Sequence, residues 1–325
     1  SDYLRSEDWL VTDSLDENDI DIIVMTEPRK NLVSCKYNQK DISKYLIKNP
    51  DTIVVHRINE CDERKNTKNV NLYLKRANKV ADHTVFISAF LEGLFIRGGI
   101  FDTKNYSVIR NGADSNIFNL DNRIKWNKAE PVKMVTHHWG GNYYKGFDVY
   151  EIIDSMIGKE IDDFKIDFTY IGNLPEGFIF KNSTVLEPIK GKDLAGKIKD
   201  HHVYITASIN EPGGMHHIEG AMCGLPLLFR NSGAIPEHAK GFGIMFDGPG
   251  DFEDKLKNLI KNYSHYYNKI QDYPYDSNLM CSKYERLFLE LLKKKDDFDL
   301  SKRKRKYLII YLKEKFLLRK YSGDN

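Results

Sequence analysis

His202-Val203-Tyr204-Ile205-Thr206-Ala207-Ser208 runs directly into Ile209-Asn210-Glu211-Pro212-Gly213-Gly214-Met215-His216-His217-Ile218-Glu219-Gly220. After these come Gly224-Leu225-Pro226 and a second apolar run, Leu225–Asn231. The two apolar runs are short and lack polar alternation, which marks strands buried on both faces. Between them a glycine pair opens a helical stretch, and Gly224-Leu225-Pro226 closes it and enters the next strand. Strand, helix and strand in close succession make a βαβ unit, whose two strands lie parallel.

The same alternation extends outward in both directions. From residue 132 onward, strands are expected at Val132–His138, Ile166–Gly172, Thr184–Ile189, His202–Ser208, Leu225–Asn231 and Gly243–Asp247, with helical stretches after nearly every one. Before it, strands are expected at Ile20–Thr26, Thr52–Ile58, His83–Ser88 and Tyr106–Asn111. The helices there are Ile42–Lys48 and Val70–Val80, with Leu72, Ala77 and Val80 able to share a face. Two such halves predict an α/β protein of two doubly wound, Rossmann-like domains. The polar segment Leu120–Pro131 has the composition of a linker. The expected domains are therefore 1–119, the linker 120–131, a domain over 132–265, and C-terminal helices over 266–325 with a basic tail. After Asp247 the chain turns helical at Phe252–Tyr263 and Tyr275–Lys295, divided by Pro274, which cannot continue a helix. The first domain reads as short. No glycine-rich turn follows an early strand, and Gly98-Gly99 comes too late to serve, so its first β-α unit is expected to be absent.

The bulk properties are those of an ordinary globular protein, with 41% hydrophobic and 30% charged residues among 325. Net charge is +2, so the average field selects no polyanion. The segment from Lys302 to Lys320 nevertheless holds nine basic residues and one acid. The four cysteines are widely spaced and read as reduced thiols. No stretch approaches 18 apolar residues, and the first twenty are too polar for a signal peptide. A cytoplasmic location is the default expectation.

Ligands of an open α/β sheet bind beyond the carboxyl ends of its strands. After Val132–His138 comes Trp139-Gly140-Gly141-Asn142-Tyr143-Tyr144-Lys145-Gly146. Its glycines let backbone approach a ligand, and Lys145 at the helix start suits a phosphate. After Ser208, Gly213 and Gly214 can present backbone N–H groups at a helix N-terminus, a second anion site of diphosphate size. Glu211 and Glu219, separated by seven residues, cannot both ligate that anion. As strong acceptors they suit hydroxyl groups, one on a sugar and one on a ribose. His138 and His216, at strand and helix ends, are further candidates for substrate contact.

The run Glu211-Pro212-Gly213-Gly214-Met215 through Ile218-Glu219-Gly220-Ala221-Met222 to Gly224-Leu225-Pro226 resembles the E-x7-E signature of retaining glycosyltransferase family 4, whose fold is GT-B. Asn111-Gly112-Ala113-Asp114 with Phe118 resembles that family's domain-junction segment, and Lys145-Gly146 resembles its K-G after the first donor-domain strand. The resemblance runs from about His56 to Asp247. It implies a nucleotide-sugar donor, UDP- or GDP-linked, with no cofactor and no metal, and a glycan or lipid-linked acceptor. It also implies that Lys145, with backbone N–H groups at Gly213, Gly214 and Met215, holds the diphosphate. Glu211 would contact sugar hydroxyls, Glu219 the nucleotide ribose, and His56 the transferred sugar. The chain departs from the family at Gly140, where an arginine is frequent. Trp139, Asn142 and His138 are the candidates to replace it. The glycine-rich first loop is a second departure.

Three His-His pairs, at 137–138, 201–202 and 216–217, raise the question of a metal. Adjacent residues of a strand face opposite ways, so a strand-borne pair supplies one ligand at most, and none is assigned. The basic tail has two readings: a helix resting on an anionic membrane, or a final helix packing back on the first domain. Nothing supports nucleic-acid binding. Rival functions are a sugar-nucleotide epimerase or phosphorylase, for which no acid/base pair or cofactor lysine stands out, and a nucleotide-sugar-binding or scaffold protein with little turnover.

Overall fold

A computed structural model describes residues 2–321. The chain divides into two compact units, one from residues 1–62, 67–109 and 281–325, the other from 63–66 and 110–280. The strands in chain order are β1 (Ile22–Met25), β2 (Ile53–Ile58), β3 (His83–Phe86), β4 (Tyr106–Val108), β5 (Val132–His138), β6 (Ile166–Gly172), β7 (Thr184–Leu186), β8 (Val203–Thr206), β9 (Leu227–Arg230) and β10 (Gly243–Phe246).

In the first unit β1 to β4 form one parallel sheet in chain order, with no reversal. The helix Gln39–Lys48 covers one face. It starts at a capping box in which Asn38 and Asp41 each accept from the other's backbone N–H. The helix Val70–Ala77 runs into a 3₁₀ turn over Asn78–Val80. Leu74 and Ala77, three residues apart in the helix, share a buried stripe, and the tighter turn brings Val80 onto it. Leu72, expected to share that face, is 64% exposed.

The final helix, Leu300–Tyr321, seats on this unit. Tyr307 is fully buried among Ile23, Leu46 and Val54. Glu314, also buried, accepts from both Arg76 (2.6 Å) and Gln39 (3.0 Å). Arg303 donates to the carbonyls of Pro50 and Thr52 and pairs with Asp82. One face of the basic tail is therefore a packing face. The side chains of 317–321 lie outside the described residues.

In the second unit the order is β10-β9-β8-β5-β6-β7, all parallel, so β5 and β8 are neighbours at the point where the winding reverses. Successive residues serve the two layers: Met134 packs with Phe147, Tyr150 and Phe168, and Val135 with Tyr204, Ile218 and Leu227. Residues 120–131, read from their polarity as a linker, belong to this unit. Trp126 is buried edge-on to Phe164 and Tyr263, and Arg123 lies 4.0 Å over the Tyr267 ring. A single anchoring tryptophan outweighs a polar average. The helical C-terminal part is likewise divided. Tyr263–Lys269 stays with the second unit, and the chain crosses to the first within the Ser277–Leu292 helix. Among the described residues no helix is long and apolar enough to cross a membrane.

Candidate functional site

The site forms where β5 and β8 part. Beyond β5, Trp139 to Asn142 lead into a 3₁₀ turn, Tyr143–Lys145, held by the Asn142 side chain accepting from Tyr144 N–H at 2.8 Å. Gly146 then starts the helix Phe147–Met156 with φ +104°, and a Cβ there would stand 2.3 Å from that of Ala207. Only glycine meets both demands. Beyond β8, Asn210 adopts φ +51°, its N–H bonded to Ser232 Oγ at 2.8 Å, and this turns Glu211 inward. The two loops are tied together by Ile209 N–H donating to Tyr144 O at 2.8 Å.

Lys145 and Glu211, 66 residues apart in sequence, meet here. Lys145 Nζ donates to Glu211 Oε2 at 2.7 Å, and both side chains are buried. Burial raises the Glu211 pKa, but Lys145 and Arg64 outweigh it and hold the carboxyl at about 2. The expected separation of tasks, phosphate for Lys145 and hydroxyls for Glu211, thus begins from an ion pair.

Gly213 and Gly214 lead into the helix Met215–Met222. A Cβ on Gly214 would lie 2.8 Å from Glu211 Cδ, so any larger residue would obstruct the carboxylate. Asn111, from the Asn111-Gly112-Ala113-Asp114 segment, donates to Gly213 O at 2.7 Å and fixes this loop. Glu219, one turn into the helix, accepts from His137 Nε2 at 2.7 Å, and Tyr204 OH meets the other ring nitrogen at 3.0 Å. The sequence marks His137 only as one of a His-His pair, because the alternation of β5 says nothing about a partner on another element.

His138 and His216 lie with ring centroids 4.5 Å apart and planes tilted by 60°, bonded to Tyr150 OH (2.9 Å) and Thr206 Oγ1 (2.7 Å). Burial pushes both imidazoles well below their ordinary pKa, so they are neutral at pH 7. Around these groups lies a cavity of about 410 Å³ reaching from Glu211 and Lys145 to Glu219, and a second of about 290 Å³ beside Trp139, Asn142 and Tyr144.

Arg64, from the short segment 63–66, lines both cavities, with Nε 3.8 Å from Glu211 Oε1. Sequence reasoning passed over it, since Asp62-Glu63-Arg64-Lys65 has the look of a solvated loop. His56 belongs to the first unit. It is fully buried within β2, with Nδ1 2.8 Å from Asn78 Oδ1 and Nε2 without a hydrogen-bond partner, and burial lowers its pKa to about 4. Among the described residues no three His, Cys, Asp or Glu side chains are grouped to hold a metal ion.

The strand order with its β5/β8 reversal, the helix N-terminus and the paired loops can be set beside known proteins. Sucrose-phosphate synthase from Thermosynechococcus elongatus superposes with a TM-score of 0.61 at 13% identity, over 84% of this chain and 74% of that one. Anabaena Alr3699/HepE, solved in complex with UDP-glucose, superposes with a TM-score of 0.58 at 13% identity, over 89% of this chain and 77% of that one. The fold is GT-B.

In sequence, this GT-B chain is 25% identical over 197 residues to the sulfoquinovosyl transferase SQD2 of Arabidopsis thaliana, covering 56% of this chain and 38% of the relative. The chain thus spans well under half the length of that curated relative. No family model matches it.

Proposed function

We propose that this chain is a retaining glycosyltransferase of the family 4 type. It moves a hexose from a UDP- or GDP-linked donor to a hydroxyl of a glycan or lipid-linked acceptor, without a metal. The observation that carries the reading is the Lys145–Glu211 pair, buried at the switch point of a GT-B fold and facing the N-terminus of the Met215–Met222 helix. The donor of the solved HepE complex and the transferase activity named for SQD2 agree with it.

An ammonium has three N–H donors, and Glu211 uses one, so Lys145 can hold a diphosphate oxygen without releasing the carboxylate. The N–H groups at Gly214 and Met215 add the helix-terminal field. As the anomeric C–O bond breaks, negative charge gathers on the departing diphosphate, where donors of this kind are worth a few kcal/mol each, about 2.7–4 for one well-placed group. The acceptor oxygen attacks the same face of the sugar and its proton passes to the leaving phosphate. That step forms one C–O bond, breaks one, and needs no protein nucleophile. Glu211 orients sugar hydroxyls, and His138 and His216 serve as neutral hydrogen-bonding groups at the sugar. Glu219, steadied by His137, takes the ribose.

Peripheral contact with a membrane through residues 302–320 is part of this reading. Leu308, Ile309, Leu312 and Phe316 are 41–64% exposed, opposite the seated stripe, with Lys304, Lys313 and Lys315 also exposed alongside. The protein would then work in the cytoplasm, beside a membrane.

The test is thermal unfolding of the whole chain against UDP-, GDP-, ADP- and CMP-sugars, followed by release of free nucleotide. A saturating donor at a hundred times its dissociation constant adds about 2.7 kcal/mol. One nucleotide class should raise Tm, and Lys145→Ala and Glu219→Ala should abolish the rise. A donor that binds and is never turned over or hydrolysed would instead mark a nucleotide-sugar-binding protein.

A further inference from the structure

Val135 and His137 point to the same face of β5, and Val135 lies opposite Tyr204 of β8. Val135 and Tyr204 pack there with Ile218 of the Met215–Met222 helix. Tyr204 is fully buried, its ring edge-on to that of His137 with centroids 5.7 Å apart. A Cβ on Gly220 would run into the Tyr204 ring, so the glycine directly after Glu219 is what lets the phenol lie beneath the helix.

The hydrogen bonds in this group run in one direction. The His137 backbone N–H donates to the Tyr204 oxygen at 3.2 Å, and the phenol hydrogen turns to His137 Nδ1, 3.0 Å away. Burial pushes the Tyr204 pKa well above its ordinary value, so the phenol keeps that hydrogen. At the other ring nitrogen a carboxylate can only accept, so Nε2 carries the hydrogen that meets Glu219 Oε2 at 2.7 Å. Tyr204 therefore selects the His137 tautomer, and His137 fixes one Glu219 oxygen. Glu219 Oε1 makes no hydrogen bond among the described residues, and Glu219 lines the larger cavity together with His137. An unrestrained glutamate turns about three bonds. One held at Oε2 presents Oε1 in a fixed direction before a ligand arrives, and such pre-organisation raises affinity.

We propose that His137 and Tyr204 are positioning residues for ribose selection. They set the Glu219 carboxylate so that Oε1 accepts from one ribose hydroxyl, and the protein thereby separates ribonucleotides from deoxyribonucleotides. This rests on the donor-site reading above, in which Glu219 takes the ribose.

The experiment is calorimetric titration of the full chain with UDP, GDP, ADP and CDP, then with the 2′-deoxy and 3′-deoxy forms of whichever binds. In the wild type, loss of the hydroxyl that meets Oε1 should weaken binding about 10- to 100-fold, the range for one hydrogen bond to a charged group. His137→Phe should weaken the ribonucleotide about tenfold and leave that deoxy analogue within about threefold of wild type. Tyr204→Phe should give a smaller loss, again confined to the ribonucleotide. His137→Gln, which restores an N–H donor for Glu219, should recover most of the selectivity. Ring 15N spectra of the ligand-free protein give a second readout, with hydrogen on His137 Nε2 and a bare Nδ1. The reverse tautomer would overturn the inference. So would equal loss of ribo- and deoxyribonucleotide in His137→Phe, the mark of a residue that merely supports the fold. Undiminished ribonucleotide binding in that variant would overturn it too, while the donor site stands. A wild type that binds both forms equally would remove the ribose role of Glu219 and this inference with it. One that binds no nucleotide overturns the donor reading as well.

Discussion

Glu211 is the most constrained residue of the site. It is 1% exposed, ion-paired and locked by its own backbone, whose carbonyl accepts from Ala234 N–H at 2.7 Å. Replacing it with alanine would strand Lys145 as a buried, unpaired cation, a change that costs about 3–5 kcal/mol in comparable cases. Glu211→Ala is therefore expected to lower Tm by several degrees as well as to abolish transfer. Glu211→Gln, which keeps a hydrogen bond to Lys145, should lose activity with a smaller fall in Tm. The pH dependence follows from the same burial. With a folded pKa of about 2 against an ordinary 4.5, the Glu211 contribution is complete above about 4.5 and fades as pH drops toward 2. The buried imidazoles act earlier. His56, lowered from 6.5 to about 4, stays neutral in the fold but takes up a proton on unfolding, so stability is lost as pH falls through that window. His217, whose two ring nitrogens lack partners in the core, is pushed the same way. Each such group gives a slope of about 1.4 kcal/mol per pH unit within its window. Thermal unfolding should show Tm falling from pH 7 to pH 5, and His217→Phe should flatten that fall. An unchanged Tm over this range would mean that the imidazoles are charged in the native state.

At the scale of elements, the loops at the ends of β5 and β8 decide what the side chains can do. Gly146 joins the 3₁₀ turn to its helix at a φ of +104° and against Ala207, so both backbone strain and a steric clash oppose any side chain. Gly146→Ala should destabilise the protein by at least about 1–3 kcal/mol and weaken donor binding, because Lys145 is the residue just before it. Chemical denaturation would read the first effect and the donor-induced thermal shift the second. A fully stable Gly146→Ala would show that the turn can relax. The strands themselves were plain in the sequence: β5 and β6 have the bounds that their apolar runs predict. Other strands proved shorter by one to three residues at an end, where apolar residues continue into a loop after strand pairing stops. The Val70–Ala77 helix shows a different limit. Leu74, three residues before Ala77, shares its buried face, whereas Leu72, five residues before it, turns away, so the shared face expected from Leu72 belongs to Leu74.

For the whole molecule, a net charge of +2 hides a tail with nine basic residues and one acid between 302 and 320. The acid, Glu314, is buried with Arg76 and Gln39, so the outward side of the final helix up to Phe316 presents cations and apolar groups without a compensating carboxylate. Each cation near an anionic surface contributes about 1 kcal/mol. The full chain should sediment with vesicles containing phosphatidylglycerol at low salt and not with pure phosphatidylcholine. Leu308→Ser/Ile309→Ser/Phe316→Ser should reduce binding about tenfold or more with Tm unchanged, since all three side chains face solvent. Undiminished vesicle binding in that variant would exclude the helix face as the contact.

The sequence alone determined the α/β class, the parallel sheets and the strand ends around which the site is built, because apolar periodicity and glycine placement are local properties that survive without neighbours. It also placed Lys145, Gly213, Gly214, Glu211 and Glu219 near one another in principle, through the rule that loops at strand carboxyl ends converge. Only the tertiary structure decided which charges meet. That Lys145 pairs with Glu211, that His137 holds Glu219 and that Arg64 arrives from residues 63–66 depends on loop torsions such as Asn210 at +51°. It likewise decided that Trp126 draws a polar stretch into the second unit and that the basic tail seats one face on the first. Pairings across long separations depend on how packed elements bring chain segments together, and no repeat along the chain records that geometry.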